Sequence, residues 1–368
     1  MKGSPRIPKY QQVYSALWRE IRSGRMKRGD RLPSEAALER RFGASRITVG
    51  RAVRDLQTAG LVERRAGSGT FVTVPETAKG ALSFGLLIPD LGETEIFEPI
   101  CQGMMASPLA RAHALLWGSL NGAGSSREER AWQLCRQYID RGVSGVFFAP
   151  VEIKSSKEDV NRRIADALDE ARIPIVLLDR TVTAYPRRGR HDLVGIDNRR
   201  AGYLVTEHLL RLGARRVAFL AQPIAAATVG AREAGYREAL YAWEAPIDRS
   251  LVHRLDPDAI DDVRAMMASP SPDAIVCAND RTAARLMRML LRLDYRIPDD
   301  VRVVGIDDVE YASLLPVPLT TLRQPTRHIG DAALTAMLER VARKDLPARD
   351  ILLDPELIVR ESCGAAKR

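Results

Sequence analysis

The sequence predicts an α/β protein. A small basic module of helices with a two-stranded wing precedes a body of two doubly wound, parallel-sheet lobes. Three observations carry this reading. Residues 32–72 read as helix, glycine turn, helix, strand, glycine-rich tip and strand. Beyond residue 82, continuous apolar runs alternate with helical stretches, and the series occurs twice. The charge is also divided: residues 1–75 hold 16 Lys/Arg against 6 Asp/Glu, a net of +10, although the whole chain carries only +9.

With 368 residues the chain is long enough for two or three domains and a sizeable core. A basic module on a nearly neutral body favours a nucleic-acid partner, because neutralised phosphates release counterions. Cys101, Cys135, Cys277 and Cys363 lie far apart without CxxC spacing, so they read as small buried hydrophobes in a reducing compartment. No apolar h-region opens the chain, and no run of about 18 apolar residues occurs. A cytoplasmic protein without a membrane partner is therefore expected. His113, His191, His208, His253 and His328 are scattered without HExxH spacing, and no GxSxG elbow occurs. No enzyme, no metal site and no cofactor are expected.

The first helix is expected from Tyr10 to Ile21, with Val13, Leu17 and Ile21 on one stripe. Lys9 and Tyr10 just precede it, either as phosphate contacts or as a solvated start. Ser34 is a candidate N-cap for a helix carrying Leu38 and Phe42. Gly43 stops that helix with a left-handed cap. Ser45 caps the next, Arg46 to about Thr58, whose Val49, Val53 and Leu56 face inward. Arg46, Thr48, Arg51 and Arg54 occupy its other face. Leu61-Val62 and Thr70-Phe71-Val72 alternate as short strands around a tip of Arg64, Arg65, Ala66, Gly67, Ser68 and Gly69. Residues 1–74 form this module, and residues 75–81 a linker.

Residues 82–368 form the body. The runs at 84–90, 114–119, 145–150 and 174–179 read as buried strands, with helices near 96–111, 126–141 and 157–171. A second series at 193–197, 216–221, 273–279 and 301–307 alternates with helices near 199–212, 230–243, 258–268 and 280–292. Ligands in such sheets sit at the carboxyl ends of the strands. TTLRQP (320–325), a helix near 327–343 and DPELIVRES (354–362) are expected to cross between the lobes.

LPSE, SRITV, GLVERR and GSGTFV, in this order and spacing, resemble the winged helix-turn-helix of the GntR family of bacterial repressors, over roughly residues 10–74. VGIDNRRAGYLVTEHLLRLGARRVAFL, AREAGYREAL, PDAIVCANDRTA, RIPDDVRVVGIDD and TTLRQP resemble the periplasmic-binding-protein-like effector domain of the LacI family, over about residues 82–362. The pairing looks like the chimeric arrangement of the arabinose-repressor subgroup.

The resemblance implies a ligand cleft with named residues. Asp179 matches the family's sugar-contacting aspartate, Arg232 the arginine of RxxGY, Asn279 the asparagine of AND, and Asp307 the first aspartate of VVGIDD. Each also has a plainer reading. Asp179 and Asp307 are turn or cap residues, Asn279 shapes its turn, and Arg232 pairs with Glu233 or Glu238. Asp280 is read as a helix cap. Phe97, Trp117 and Trp243 are available as an apolar wall; each also has the plainer reading of a core residue, and Phe97 is the preferred wall. NGAGSS (121–126) reads as a flexible loop and not as a phosphate cradle.

In the module, Arg46 opens the helix expected to reach base edges, a contact that discriminates by about 1–3 kcal/mol. Ser34, Ser45, Thr48 and Arg51 are further DNA-binding candidates. Arg65, Gly67, Ser68 and Gly69 form a wing tip suited to the minor groove. The sequence departs from the GntR pattern at Ala36 and Gly50, where the family usually has arginine.

The expected function is a ligand-responsive repressor of sugar-utilisation genes. It binds a palindromic operator in double-stranded DNA as a homodimer, and a monosaccharide closing the cleft releases it. A purine or sugar-phosphate effector, or an architectural DNA-binding dimer without effector, are the alternatives. A solute-binding transport protein fits the second half alone.

Overall fold

The computed structural model describes residues 9–22, 25–26, 29–58, 61–65, 68–72, 81–88, 95–118, 126–151, 160–183, 185–268 and 270–365. All of the expected linker but Ala81, the NGAGSS segment except Ser126, and Gly67 lie outside them. The chain divides into two compact units, Met1–Ala81 and Leu82–Arg368.

In the first unit, α1 (Lys9–Arg22), α2 (Glu35–Phe42) and α3 (Arg46–Thr58) precede β1 (Val62–Arg65) and β2 (Gly69–Val72). The helical spacing of apolar residues in α1 and α3 does what it should: Val13, Leu17, Val49 and Leu56 meet Leu38 in one buried core. Lys9 and Tyr10 lie inside α1 and do not precede it. The Lys9 ammonium donates to the Gly43 carbonyl at 2.5 Å, satisfying an oxygen at the end of α2. β1 and β2 pair antiparallel, Val62 opposite Val72 and Arg65 opposite Gly69.

The second unit begins with β3 (Ser83–Leu87), α4 (Phe97–Ala106), β4 (Ala114–Trp117), α5 (Arg127–Arg141), β5 (Gly145–Phe148), α6 (Val160–Glu170), β6 (Ile175–Leu178) and β7 (Asp192–Ile196). It continues with α7 (Asn198–Arg211), β8 (Val217–Ala221), α8 (Ala227–Ala242), β9 (Val252–Arg254), α9 (Ile260–Ala268), β10 (Ala274–Cys277), α10 (Asp280–Arg292), β11 (Arg302–Asp307) and β12 (Thr320–Arg323). It closes with α11 (Thr326–Ala342), β13 (Asp350–Leu353) and β14 (Glu356–Ile358).

Among the described residues of this second unit the strands form two sheets, ordered β13-β7-β6-β5-β3-β4 and β14-β12-β11-β10-β8-β9. All pairs are parallel except β12–β14. The expected crossing segments are therefore also strands. β13 extends the first sheet beside β7, and β12 joins the second beside β11, with β14 at its edge. The chain passes between lobes after β7, after β12 and after β13. Buried Asp192 fastens the return of the chain to the first lobe, accepting from Arg340 on α11 at 2.6 Å and Arg349 beside β13 at 3.0 Å. Continuous apolar strands such as Ile175–Leu178 and Ala274–Cys277 are buried throughout, as sheets covered on both faces require. All four cysteines are free and buried.

Candidate functional site

The two sheets direct their carboxyl ends at a shared cleft of about 580 Å³. Asp179 follows β6, Gln222 follows β8, Ala278 and Asn279 follow β10, and Asp307 ends β11, and all of them line the cavity. Asp179 and Asp307 hold positive φ of 66° and 132°. Non-glycine residues in that region carry strain of order 1–3 kcal/mol, which surrounding structure must sustain.

Arg232 occupies the cavity floor. It lies on α8 and is buried, with 4 % of its surface exposed. It pairs with neither Glu233 nor Glu238, which hold Arg237 and Arg199. Its Nε donates to Asn198 Oδ1 at 2.8 Å, its Nη1 to the Ala278 carbonyl at 2.6 Å and its Nη2 to Asp307 Oδ1 at 3.4 Å. Close packing of α8 on α7 puts it there. A Cβ at Gly202 would lie 1.9 Å from the Arg232 carbonyl, and one at Gly235 would lie 1.8 Å from the Arg199 carbonyl. Only glycine permits that approach.

Asp307 also accepts from Gln324 Nε2 at 2.7 Å. Burial pushes its carboxyl up to about 6 despite Arg232 and the Gln324 hydrogen bond, and Asp179 and Glu95 raise it further. Asp179 is buried, accepts from Arg180 Nε at 3.0 Å through Oδ2, and has no hydrogen-bond partner on Oδ1 among the described residues. A buried carboxylate oxygen left in this state is costly unless a ligand hydroxyl reaches it.

Three expectations at the cleft need correction. Asn279, not Asp280, caps α10, accepting from Thr282 N at 2.9 Å. Asp280 is wholly buried and turns inward, accepting from the Thr321 hydroxyl at 2.6 Å and Val309 N at 3.1 Å. Burial, and next to it Asp307, push its carboxyl up to about 7. Phe97 is not a cavity wall. It opens α4, is 2 % exposed, and packs in the core with the Arg180 guanidinium 5.6 Å from its ring. Ile96 and Glu95 line the cleft instead. Trp117 and Trp243 are not core: they are 49 % and 41 % exposed, and neither lines the cleft. Sequence reasoning also missed Glu95, whose partner Tyr311 is 216 residues away.

In the first unit the candidate DNA residues form an exposed basic face. Ser34 caps α2, accepting from Ala37 N at 3.2 Å. Ser45 caps α3, meeting Thr48 N at 3.4 Å and the Thr48 hydroxyl at 2.9 Å. Arg46 is 82 % exposed and lies 3.5 Å from Glu35, which also faces Arg64 at 3.6 Å. The Arg51 guanidinium lies over the Tyr10 ring at 3.9 Å, so α1 fixes its direction. Arg65 pairs with Glu63 at 3.2 Å and approaches the Phe71 ring at 5.0 Å. Ser68 N donates back to the Arg65 carbonyl at 3.0 Å, closing the wing turn. Gly69 has φ 115°, and the Arg31 side chain passes within 2.6 Å of where its Cβ would be.

Residues 9–72 match the bacterial regulatory proteins of the gntR family, and residues 206–363 match the periplasmic binding protein-like domain. The arabinose metabolism transcriptional repressor of Geobacillus stearothermophilus is 28% identical over 97% of this chain and 98% of its own length. The HTH-type transcriptional repressor PurR of Vibrio atlanticus is 30% identical, covering 64% of this chain and 68% of itself. The crystal structure of transcription regulator GntR from Chromobacterium violaceum superposes with a TM-score of 0.61 at 27% identity, covering 76% of this chain and 99% of that one.

Proposed function

Because this chain belongs to the transcriptional regulators that join a gntR-type DNA-binding domain to a periplasmic-binding-protein-like domain of the LacI type, we propose that it represses sugar-utilisation genes as a homodimer on a palindromic operator, and that a monosaccharide in the cleft releases it. It is a regulator and not an enzyme, like its relatives.

The observation that carries the effector reading is Arg232. Three of its nitrogens are bound by protein oxygens at the floor of an otherwise open cleft, beside an aspartate oxygen that has no hydrogen-bond partner among the described residues. A fixed guanidinium between carboxylates suits vicinal hydroxyls, which donate to the acids and accept from the base. Asn279 adds an amide at the cavity wall, although its oxygen is already used in capping α10.

The DNA reading rests on the exposed basic face of α3 and the wing, with Arg46 for base edges, Thr48 and Arg51 for phosphates, and Ser68 and Gly69 for close backbone approach. Ser34 and Ser45 act at helix N-termini, where backbone N–H groups favour phosphate. One module covers one half-site, which is why two copies are proposed. The repressor works in the cytoplasm, beside its operator. No helix among the described residues is long and apolar enough to cross a membrane.

Selection from a pool of random duplexes tests this directly. Enrichment of an inverted repeat supports the dimeric repressor. Binding without sequence enrichment would leave an architectural protein in its place.

A further inference from the structure

Glu95 and Tyr311 belong to different lobes and meet across the cleft. Glu95 sits between β3 and α4, lines the cavity, and accepts a hydrogen bond from the Tyr311 hydroxyl at 3.0 Å through Oε1. Tyr311 lies in a short 3-10 turn after β11, the strand that ends in Asp307. Burial pushes the Tyr311 phenol well above its ordinary value, and the Glu95 carboxylate adds to this. The hydroxyl therefore keeps its proton and remains a donor. With Oε1 held, Glu95 is fixed as an acceptor from the first lobe.

We infer that Glu95, positioned by Tyr311, is a ligand-binding carboxylate that acts with Asp179 and Asp307 to select a hydroxyl-rich ligand without an anionic group. This rests on the reading of the cleft as the effector site. The second, independent sign of a ligand is Asp179, which is 5 % exposed and has one oxygen without a hydrogen-bond partner among the described residues.

The charges nearby are already matched. Arg232 faces Asp307, Arg180 faces Asp179 at 3.0 Å, and Arg285 on the α10 wall is held by Asp256 and Asp258 at 2.5 Å each. Arg127 and Arg281 also line the cavity; both are exposed, as Glu95 is, so water and salt screen all three alike. Three carboxylates at one end of a cleft seek donors. The phosphate group of an ester takes one of those donors away and brings acceptors and a like charge in its place.

The test is titration calorimetry and thermal shift of the full chain with L-arabinose, D-ribose, D-xylose and D-galactose, each beside a phosphate ester of the same sugar. The inference expects a free sugar to bind and its ester not to. Glu95→Ala then weakens that sugar roughly tenfold to hundredfold, the loss of a charge-assisted hydrogen bond. Tyr311→Phe weakens it less, and adding it to Glu95→Ala changes nothing further, because Tyr311 acts through Glu95. Preference for an ester overturns the ligand class. A free sugar that binds Glu95→Ala and Tyr311→Phe like the parent overturns the role of Glu95 but leaves the cleft as the effector site. No binding of any member overturns both.

Discussion

Arg232 and Asp307 form a buried ion pair, Nη2 to Oδ1 at 3.4 Å, between α8 and the end of β11. It joins the elements that supply most of the floor of the cleft. Breaking a buried pair from one side leaves an uncompensated charge, at a cost of roughly 3–5 kcal/mol. Here Asp307 already binds its proton more tightly than usual, so it neutralises readily. Arg232→Ala should therefore destabilise the body by the lower end of that range in chemical denaturation at pH 7, and should cost less at pH 5. An equal cost at both values would mean that Asp307 stays charged without its partner.

The α7–α8 crossing gives a prediction away from the ligand. Gly202→Ala puts a methyl against the Arg232 backbone. Backbone cannot give way as a flexible side chain does, so α8 must shift. The expected result is a loss of at least 1–3 kcal/mol of stability, together with weaker effector binding, because Arg232 moves with the helix. Gly202→Ala with wild-type Tm would show that the crossing is looser than described.

Asp280 and Asp307 set a pH dependence. Both carboxyls sit above the roughly 4 of an unfolded aspartate, at about 7 and about 6. Between about pH 4 and 7 the native state holds protons that the unfolded chain has lost, so these groups make stability fall as pH rises through that window. Half-buried His191, His208 and His253, whose pKa values desolvation lowers, tilt the curve the other way. The readout is therefore the difference between wild type and Asp280→Asn. An asparagine keeps an acceptor for Val309 N and offers its amide to the Thr321 hydroxyl oxygen. The variant should gain stability relative to wild type as pH rises from 5 to 8; a constant difference would remove Asp280 from the titration.

Gly50 on α3 has open space where a Cβ would be and an ordinary φ. Gly50→Ala should stabilise the first unit by about 1 kcal/mol through helix propensity alone, seen as a higher Tm. Unchanged or lower stability would point to a backbone requirement at that position.

Much of this architecture is legible in the sequence, for physical reasons. Strands covered on both faces must be continuously apolar, so FGLLI, PIVLL and AIVC announce themselves. Ser34, Gly43 and Ser45 announce helix ends, because few residues satisfy those backbone groups. β13 and β14 are short, carry acidic residues, and pair with β7 and β12 across long stretches of chain, so no local pattern reveals them. Phe97 illustrates a second limit. An aromatic at a helix start serves core or cleft equally well, and only tertiary packing decides. The Glu95–Tyr311 contact is the extreme case, since neither residue has a neighbour in sequence that hints at the other. Asn279 and Asp280 are adjacent, and both residue types cap helices; what separates them is that Thr321 and Val309 reach Asp280.

Arg46→Ala should reduce discrimination between the selected operator and random duplex by about 1–3 kcal/mol, with binding to random duplex nearly unchanged. Fluorescence anisotropy on both duplexes at one stated salt concentration reads this out. Equal weakening on both would make Arg46 a phosphate contact.

The most direct test of the central claim is anisotropy of the full chain on its selected operator while a cleft-binding sugar is titrated, for wild type and Arg232→Ala. The account predicts that wild type leaves the operator as the sugar saturates, and that Arg232→Ala binds the operator with wild-type affinity but does not respond. Sugar-induced release persisting in Arg232→Ala would contradict it, because the signal would then enter somewhere other than this cleft.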